Sequence, residues 1–388
     1  MFFPLFVRNS RLILPSQSVL TSQEQRPIFE GQGRQFPMLR FPAIQEKEDV
    51  KGVMPCVPVT GFGRFLPKNI FAIASVFCYN KRIYDSFTIG GFTMTQKKKK
   101  WGDRRDAVWL KDLPSMNRIM PCIMPNRADN EAFLSVDIDY RPLEAYLQKK
   151  NEGLTEDKYT FFHVIAAAIG KAFVLRPKMN RFVCNYRVYQ RNEISIAFTV
   201  KKKFSDKAEE SLAFFTYDEK ETMDSFHEKI MKVIHITKSD VEKDTSTGAM
   251  DMLVKLPQWM INLLTKIVLW LDKHGWAPQD VIGSDPNHSS IFLSNLGSIG
   301  LEVGYHHLVN WGTNSCFIVL GKKHLKKFYN ADGTEDLHEV VPLGITLDER
   351  IADGYYYSGT IALVKKLLEN PELLDAPADT PVEYSIKR

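Results

Sequence analysis

Four groups of side chains in this sequence have types that can do chemistry. Near the C-terminus, Val341-Pro342-Leu343-Gly344-Ile345-Thr346-Leu347 reads as a strand. It passes into Asp348-Glu349-Arg350-Ile351-Ala352-Asp353-Gly354-Tyr355, a tight polar turn carrying three carboxylates. Ser294 stands at the end of a second strand-like run, Ile291-Phe292-Leu293-Ser294-Asn295-Leu296-Gly297. Ten residues beyond Ser294 comes Gly304-Tyr305-His306-His307-Leu308, and Lys201-Lys202-Lys203 with Lys207 forms a cationic run. A carboxylate or imidazole can take a proton, and a fixed hydroxyl can donate to a developing negative charge. Each group also has a plainer reading: Ser294 as a strand-end turn residue, one histidine packed and the other solvated, the lysines as a solvated loop. His163, on an apolar helix face, reads as a satisfied core residue.

The elements that must position these residues follow from periodicity and punctuation. Alternation predicts strands over 136–140, 181–188, 193–200, 213–217, 290–295, 316–321 and 340–346. A helix is expected from about Pro142 through Leu147. A second spans 161–174, capped by Thr160 and ended by Arg176-Pro177. A third covers 223–236, with Phe226, Ile230, Val233 and Ile234 on one face. The last spans 359–369 and stops at Asn370-Pro371. Strands and helices alternate irregularly and without repeats, which points to an α+β, two-layer sheet-and-helix domain. No glycine-rich phosphate loop is present, since Gly61-Phe62-Gly63 lacks the rest of a dinucleotide fingerprint.

The stretch 253–276 is apolar around most of a helix, with a narrow polar stripe of Gln258, Asn262 and Lys266. Pro257, Asn262 and Lys266 interrupt it too often for a membrane span. It reads as deep core, as a subunit contact or as an interfacial anchor, so a weak membrane or protein contact is one expectation.

Composition bounds the rest. With 388 residues, 44% apolar and 25% charged, the chain is globular in character, not disordered or collagenous. Five cysteines without C-x-x-C spacing fit a reduced, cytoplasmic setting and argue against a disulfide scaffold or a metal site. The net charge of +5 is too small to imply nucleic acid, and all of it lies in residues 1–93, with eleven basic and six acidic side chains. That segment also holds 12 of the 25 phenylalanines and none of the nine histidines. We read it as a leader, either disordered, a transit segment, or a mis-assigned start ahead of Met94. The apolar Phe2–Val7 run, broken by Pro4, does not suit a secretory signal. The working domain is then 94–388, which is neutral.

The turn Asp348–Gly354 resembles the D-H-R-x-x-D-G signature of the catalytic core of the dihydrolipoyl acyltransferases of 2-oxo acid dehydrogenase complexes. The resemblance reaches more distantly to chloramphenicol acetyltransferase. The helix tail Leu367-Leu368-Glu369-Asn370-Pro371-Glu372-Leu373-Leu374, the helix end Arg176-Pro177-Lys178-Met179-Asn180 and the Phe292–Gly297 run resemble further motifs in the family's order, over about residues 115–375. The resemblance implies a chloramphenicol acetyltransferase-like fold and acyl transfer between coenzyme A and a thiol or hydroxyl acceptor. It also implies a channel between the subunits of a homotrimer. Carried over by position, Asp353 holds local geometry and Ser294 donates to the oxyanion. Lys201, Lys202 and Lys203 are the candidates to meet the coenzyme's phosphates.

One departure matters. Glu349 stands where the family has its catalytic histidine. A solvated carboxylate near ~4.3 is about two pK units weaker as a base than an imidazole near ~6.5, roughly 3 kcal/mol of driving force. Pairing with Arg350 would weaken it further. His306 or His307, oriented by Glu349, would restore a histidine–carboxylate couple in reversed positions. No lipoyl-bearing or subunit-binding segment is recognisable in the sequence. The expected protein is therefore a stand-alone acyltransferase, and the rival expectation is a non-catalytic binding or scaffold relative.

Overall fold

The computed structural model describes residues 101–201, 210–238, 255–277, 282, 285–329 and 332–386, within the unit Met94–Arg388. The leader 1–93 lies outside the described residues. In chain order the elements are β1 (Ala107–Trp109), α1 (Ser115–Ile123), β2 (Glu131–Asp139), α2 (Tyr140–Lys150) and α3 (Phe161–Leu175). Then come β3 (Arg181–Cys184), β4 (Arg187–Arg191), β5 (Ile194–Lys201), β6 (Glu210–Tyr217), α4 (Met223–Lys238) and α5 (Gln258–Lys273). The chain continues through β7 (Ile291–Asn295), β8 (Cys316–Leu320), β9 (His324–Tyr329), β10 (Glu335–Asp348) and α6 (Gly354–Glu369).

The main sheet runs β2-β10-β8-β7-β5-β6, with β9 beside β10. β10 is antiparallel to β2, β8 and β9, whereas β5, β7 and β8 are mutually parallel neighbours. A small sheet, β1-β4-β3, stands apart. One face of the main sheet is apolar at every second position: Leu134 and Val136, Leu293, Ile318 and Leu320, Leu343, Ile345 and Leu347. These residues pack on α2, α3 and α6 to form the core, as a one-sided sheet requires. In α3 the run Ala166–Ala168 is buried, so its backbone approaches the sheet closely.

Several predicted elements match, and the exceptions have local causes. The run predicted over 181–188 is a two-residue hairpin, because Asn185 and Tyr186 take φ of 47° and 61°, the pair of left-handed residues a type I′ turn needs. The last helix begins at Gly354, five residues before the predicted start. The Asp353 carboxylate accepts from the Tyr356 N–H and caps it there. β10 extends far beyond 340–346 because β9 pairs with its first half. Thr160 caps α3 as expected, with the Thr160 N–H donating to His163 Nδ1 at 3.3 Å. Burial pushes His163 down to about 3, so it is a neutral core residue. α5 is not deep core, for Asp272 is its one buried residue.

The other face of the sheet is covered by the chain between β7 and β8. A Cβ on Gly321 would lie 2.5 Å from the Val303 nitrogen, and one on Gly344 would collide with the Gly304 carbonyl oxygen. Backbone thus lies directly on the sheet at two side-chain-free positions. This contact fixes the segment that carries His306 and His307. Gly344→Ala should destabilise the protein by about 2 kcal/mol or more, read as a lowered urea midpoint, whereas Gly333→Ala, with open space around it, should lose less through its positive φ alone.

Candidate active site

The polar turn at the end of β10 is built around a buried charge. Asp348 is fully buried. Arg350 grips it with Nε at 2.8 Å and Nη2 at 2.7 Å, and Arg127 Nε lies 3.9 Å away without hydrogen-bond alignment. Arg350 also donates to the carbonyls of Met124 and Pro125. Arg127 donates to those of Val183, Val309 and Gly312. Burial lowers the Arg127 guanidinium from its ordinary value, and Asp348 opposes that. Arg350 is therefore committed to Asp348. Its carboxylate partner is Asp348, not Glu349.

Glu349 is exposed between these two buried neighbours. Its N–H is tied to the Asn130 carbonyl at 2.9 Å, and among the described residues its carboxylate forms no ion pair. It lines a cleft of about 570 Å³ with Asp353, Met120, Leu134, Tyr357 and Ser358. The wall is mostly apolar, and the two carboxylates supply its charge. The Asp353 carboxylate is occupied as the cap of α6.

Ser294 lies elsewhere. Phe292 and Ser294 of β7 pair with Phe317 and Val319 of β8, which pair in turn with Thr346 and Gly344 of β10. These side chains all point to the face opposite the helices. His306 stacks on Phe317 with centroids 4.2 Å apart, and His307 stacks on His306 at 4.7 Å. Both histidines are exposed, and His306 Nδ1 sits 2.8 Å from the His307 carbonyl. Edge-on contact of Tyr305 with Phe133 and a bond from the Leu308 N–H to Glu131 hold the loop down.

Glu349 and Asp353 thus share one cleft, while Ser294, His306 and His307 share the opposite sheet face. From the register, Ser294 and Glu349 are separated by about 10 Å across the sheet and about 16 Å along it. Within one chain the expected histidine–Glu349 couple is not assembled, because the sheet stands between its members. Lys202 and Lys203 lie outside the described residues, as does the side chain of Lys201.

Residues 279–375, about a quarter of the chain, match the family described as 2-oxoacid dehydrogenases acyltransferase (catalytic domain). Over that segment the chain is similar to the catalytic domain of those acyltransferases. No curated protein matches it. Similar solved structures include a probable dihydrolipoamide acetyltransferase from Listeria monocytogenes 4b F2365, at 13% identity and TM-score 0.43, covering 67% of this chain and 94% of that one. A dihydrolipoamide acetyltransferase of Azotobacter vinelandii aligns at 12% identity and TM-score 0.41, over 68% and 93%. A chloramphenicol acetyltransferase aligns at 13% and 0.43, over 68% and 99%. The two-layer α+β class expected from the sequence is the one observed.

The Asp348–Gly354 turn and the Ser294 strand lie in the matched segment, whereas Met120, Ala132 and Leu134 of the cleft lie outside it. Sequence reasoning missed Arg127 and the acid Asp348 as partners, because 221 residues separate them and neither has a local signal. It also missed a second buried charge cluster. His288 Nε2 lies 3.1 Å from Asp272 Oδ1, and Nδ1 lies 3.3 Å from Asp285, an ion-pair distance without hydrogen-bond alignment. Arg104 reaches the same Asp272 with Nη2 at 3.3 Å and donates to its carbonyl at 2.5 Å. The cluster anchors the end of α5 to the chain around β1 and β7. Among the described residues no group of three or more ligating side chains could hold a metal.

Two outcomes follow. Asp348→Asn leaves two buried guanidiniums short of a counter-charge and should cost about 3 kcal/mol in chemical denaturation, with Glu349→Gln close to neutral. Burial disfavours the His288 imidazolium, but Asp272 and Asp285 outweigh it and raise its pKa. A raised histidine stabilises most below its unfolded value of about 6.5 and loses that contribution as pH rises through the folded value. The stability gap between the parent and His288→Gln should therefore narrow on going from pH 5 to pH 9, measured by denaturant midpoints.

Proposed function

We propose that this protein is a coenzyme A-dependent acyltransferase that moves an acyl group between acyl-coenzyme A and a thiol or hydroxyl acceptor. The observation that carries this reading is the cleft beside α6, where Glu349, at the signature position, faces an apolar slot and Asp353 fixes the turn. A slot with apolar walls suits an acyl chain or the neutral arm of a thioester, and a carboxylate at its mouth can accept the acceptor's proton.

The reading includes a second copy of the chain. Ser294 and the His306–His307 pair occupy the face away from Glu349, so one set of groups needs a neighbour to supply the other. The homotrimer that the family resemblance implies would do this. Beside the cleft, α1 exposes Met116, Ile119 and Ile123 on one face, an apolar strip suited to burial between copies. In that assembly Ser294 steadies the oxyanion of the tetrahedral intermediate. A histidine of one copy and Glu349 of the next form the proton-accepting couple. Lys201, Lys202 and Lys203 remain the proposed phosphate contacts, with a reduced, cytoplasmic setting in which the cysteines stay thiols.

The test is release of free coenzyme A from a panel of acyl-coenzyme A donors, with dithiol and alcohol acceptors. Glu349→Gln and Ser294→Ala should each lower turnover by about a hundredfold or more, and light scattering should report a trimer. Unchanged turnover in both Glu349→Gln and His307→Ala would remove the site assignment. Failure of any acyl-coenzyme A to bind would leave the non-catalytic scaffold as the better account.

A further inference from the structure

α5 carries more exposed apolar surface than its surroundings explain. Trp259, Leu263, Ile267 and Trp270 are 66%, 51%, 45% and 51% exposed. Their spacing of four, four and three residues places them in one row along the helix. Trp276, 57% exposed, extends the row past the helix end, with its ring 5.5 Å from that of Trp270. Single exposed apolar residues are ordinary, but a continuous aromatic and aliphatic row marks a surface that meets something.

The charges beside this row identify what it meets. Lys266 and Lys273 lie on the flank next to it, with Lys255 just before the helix, and all three are exposed. The acid of the helix, Asp272, is buried on the body side and held by Arg104 and His288. What α5 offers to the outside is therefore an apolar stripe bordered by cations, with no anion. Tryptophans at both ends of an apolar stripe with lysines on its flank match the physics of a helix lying in the headgroup layer of a bilayer. The aromatic rings partition at the apolar boundary, and the lysine stems reach up to anionic phosphates. Among the described residues no helix is long and apolar enough to cross a membrane, so the helix would lie flat.

We propose that α5 docks the protein on anionic lipid surfaces, with Trp259, Leu263, Ile267 and Trp270 entering the acyl boundary and Lys266 and Lys273 meeting the headgroups. The anchoring of Asp272 to His288 and Arg104 makes the helix a rigid part of the domain and keeps its acid out of the lipid layer. Docking is separate from the acyltransferase reading, since none of these residues lines the cleft.

The experiment is sedimentation of the full chain with vesicles of phosphatidylcholine alone and of phosphatidylcholine with about a third phosphatidylglycerol. We expect binding to the anionic vesicles that weakens as salt rises. Lys266→Glu with Lys273→Glu, and separately Trp259→Ser with Trp270→Ser, should each weaken it by about tenfold or more. Turnover of soluble acyl-coenzyme A should not change in either variant. A natively folded chain that fails to sediment with anionic vesicles overturns the proposal, as does full binding by the tryptophan variant. A shift to a smaller oligomer on Trp259→Asp, without vesicle binding by the parent, would assign the stripe to a second copy instead.

Discussion

A carboxylate with no access to water has to be neutralised by its neighbours, and Asp348 imposes that requirement at the end of the longest strand. Its cations come from both sides of the chain: Arg350 two residues on, and Arg127 from the segment before β2. Each guanidinium has donors left over, and those are spent on carbonyls of the α1 end, β3 and the 309–312 loop. One acid therefore fastens three parts of the chain to the turn. The same packing displays Glu349. With Asp348 and Arg350 both turned inward, the residue between them has to point out, and its N–H is fixed by Asn130. Its exposure is a product of the burial on either side.

The second constraint is the sheet itself. β10 carries Leu343, Ile345 and Leu347 to the helices and Gly344, Thr346 and Asp348 to the other side. The helix face leads to the cleft. The other face is roofed by the 301–309 segment, which can lie on it only because Gly321 and Gly344 have no side chains. Alternation along β7 sends Ser294 to the roofed face, while Glu349, one residue past the end of β10, lines the cleft on the helix side. No rotamer change within a chain can join them.

The sequence carried much of this and missed the rest for identifiable reasons. α3 was legible because Thr160 caps it, Arg176-Pro177 ends it and alanine fills its buried face. The strands β2, β5 and β7 were legible from alternation. β9 and the first half of β10 were not, because Leu325, Tyr329 and Leu337 are exposed among lysines and acids, and such a two-sided polar hairpin has no periodic signal. α1 was missed because Pro121 lies inside it. The turn Asp348–Gly354 was singled out through its resemblance to a known signature. The Arg127 and Asp272–His288 partnerships were not, since pairing across long stretches of chain leaves no local mark.

The exposure of Glu349 and the two-sided geometry bear on each other. Glu349 is exposed, and among the described residues its carboxylate forms no ion pair. The histidines that could serve as bases, His306 and His307, are stacked on the far face and exposed, and among the described residues neither forms an ion pair. Each half lacks what the other holds. In the proposed assembly an imidazole of one copy meets Glu349 of the next, which makes contact between copies the step on which proton transfer at this turn depends.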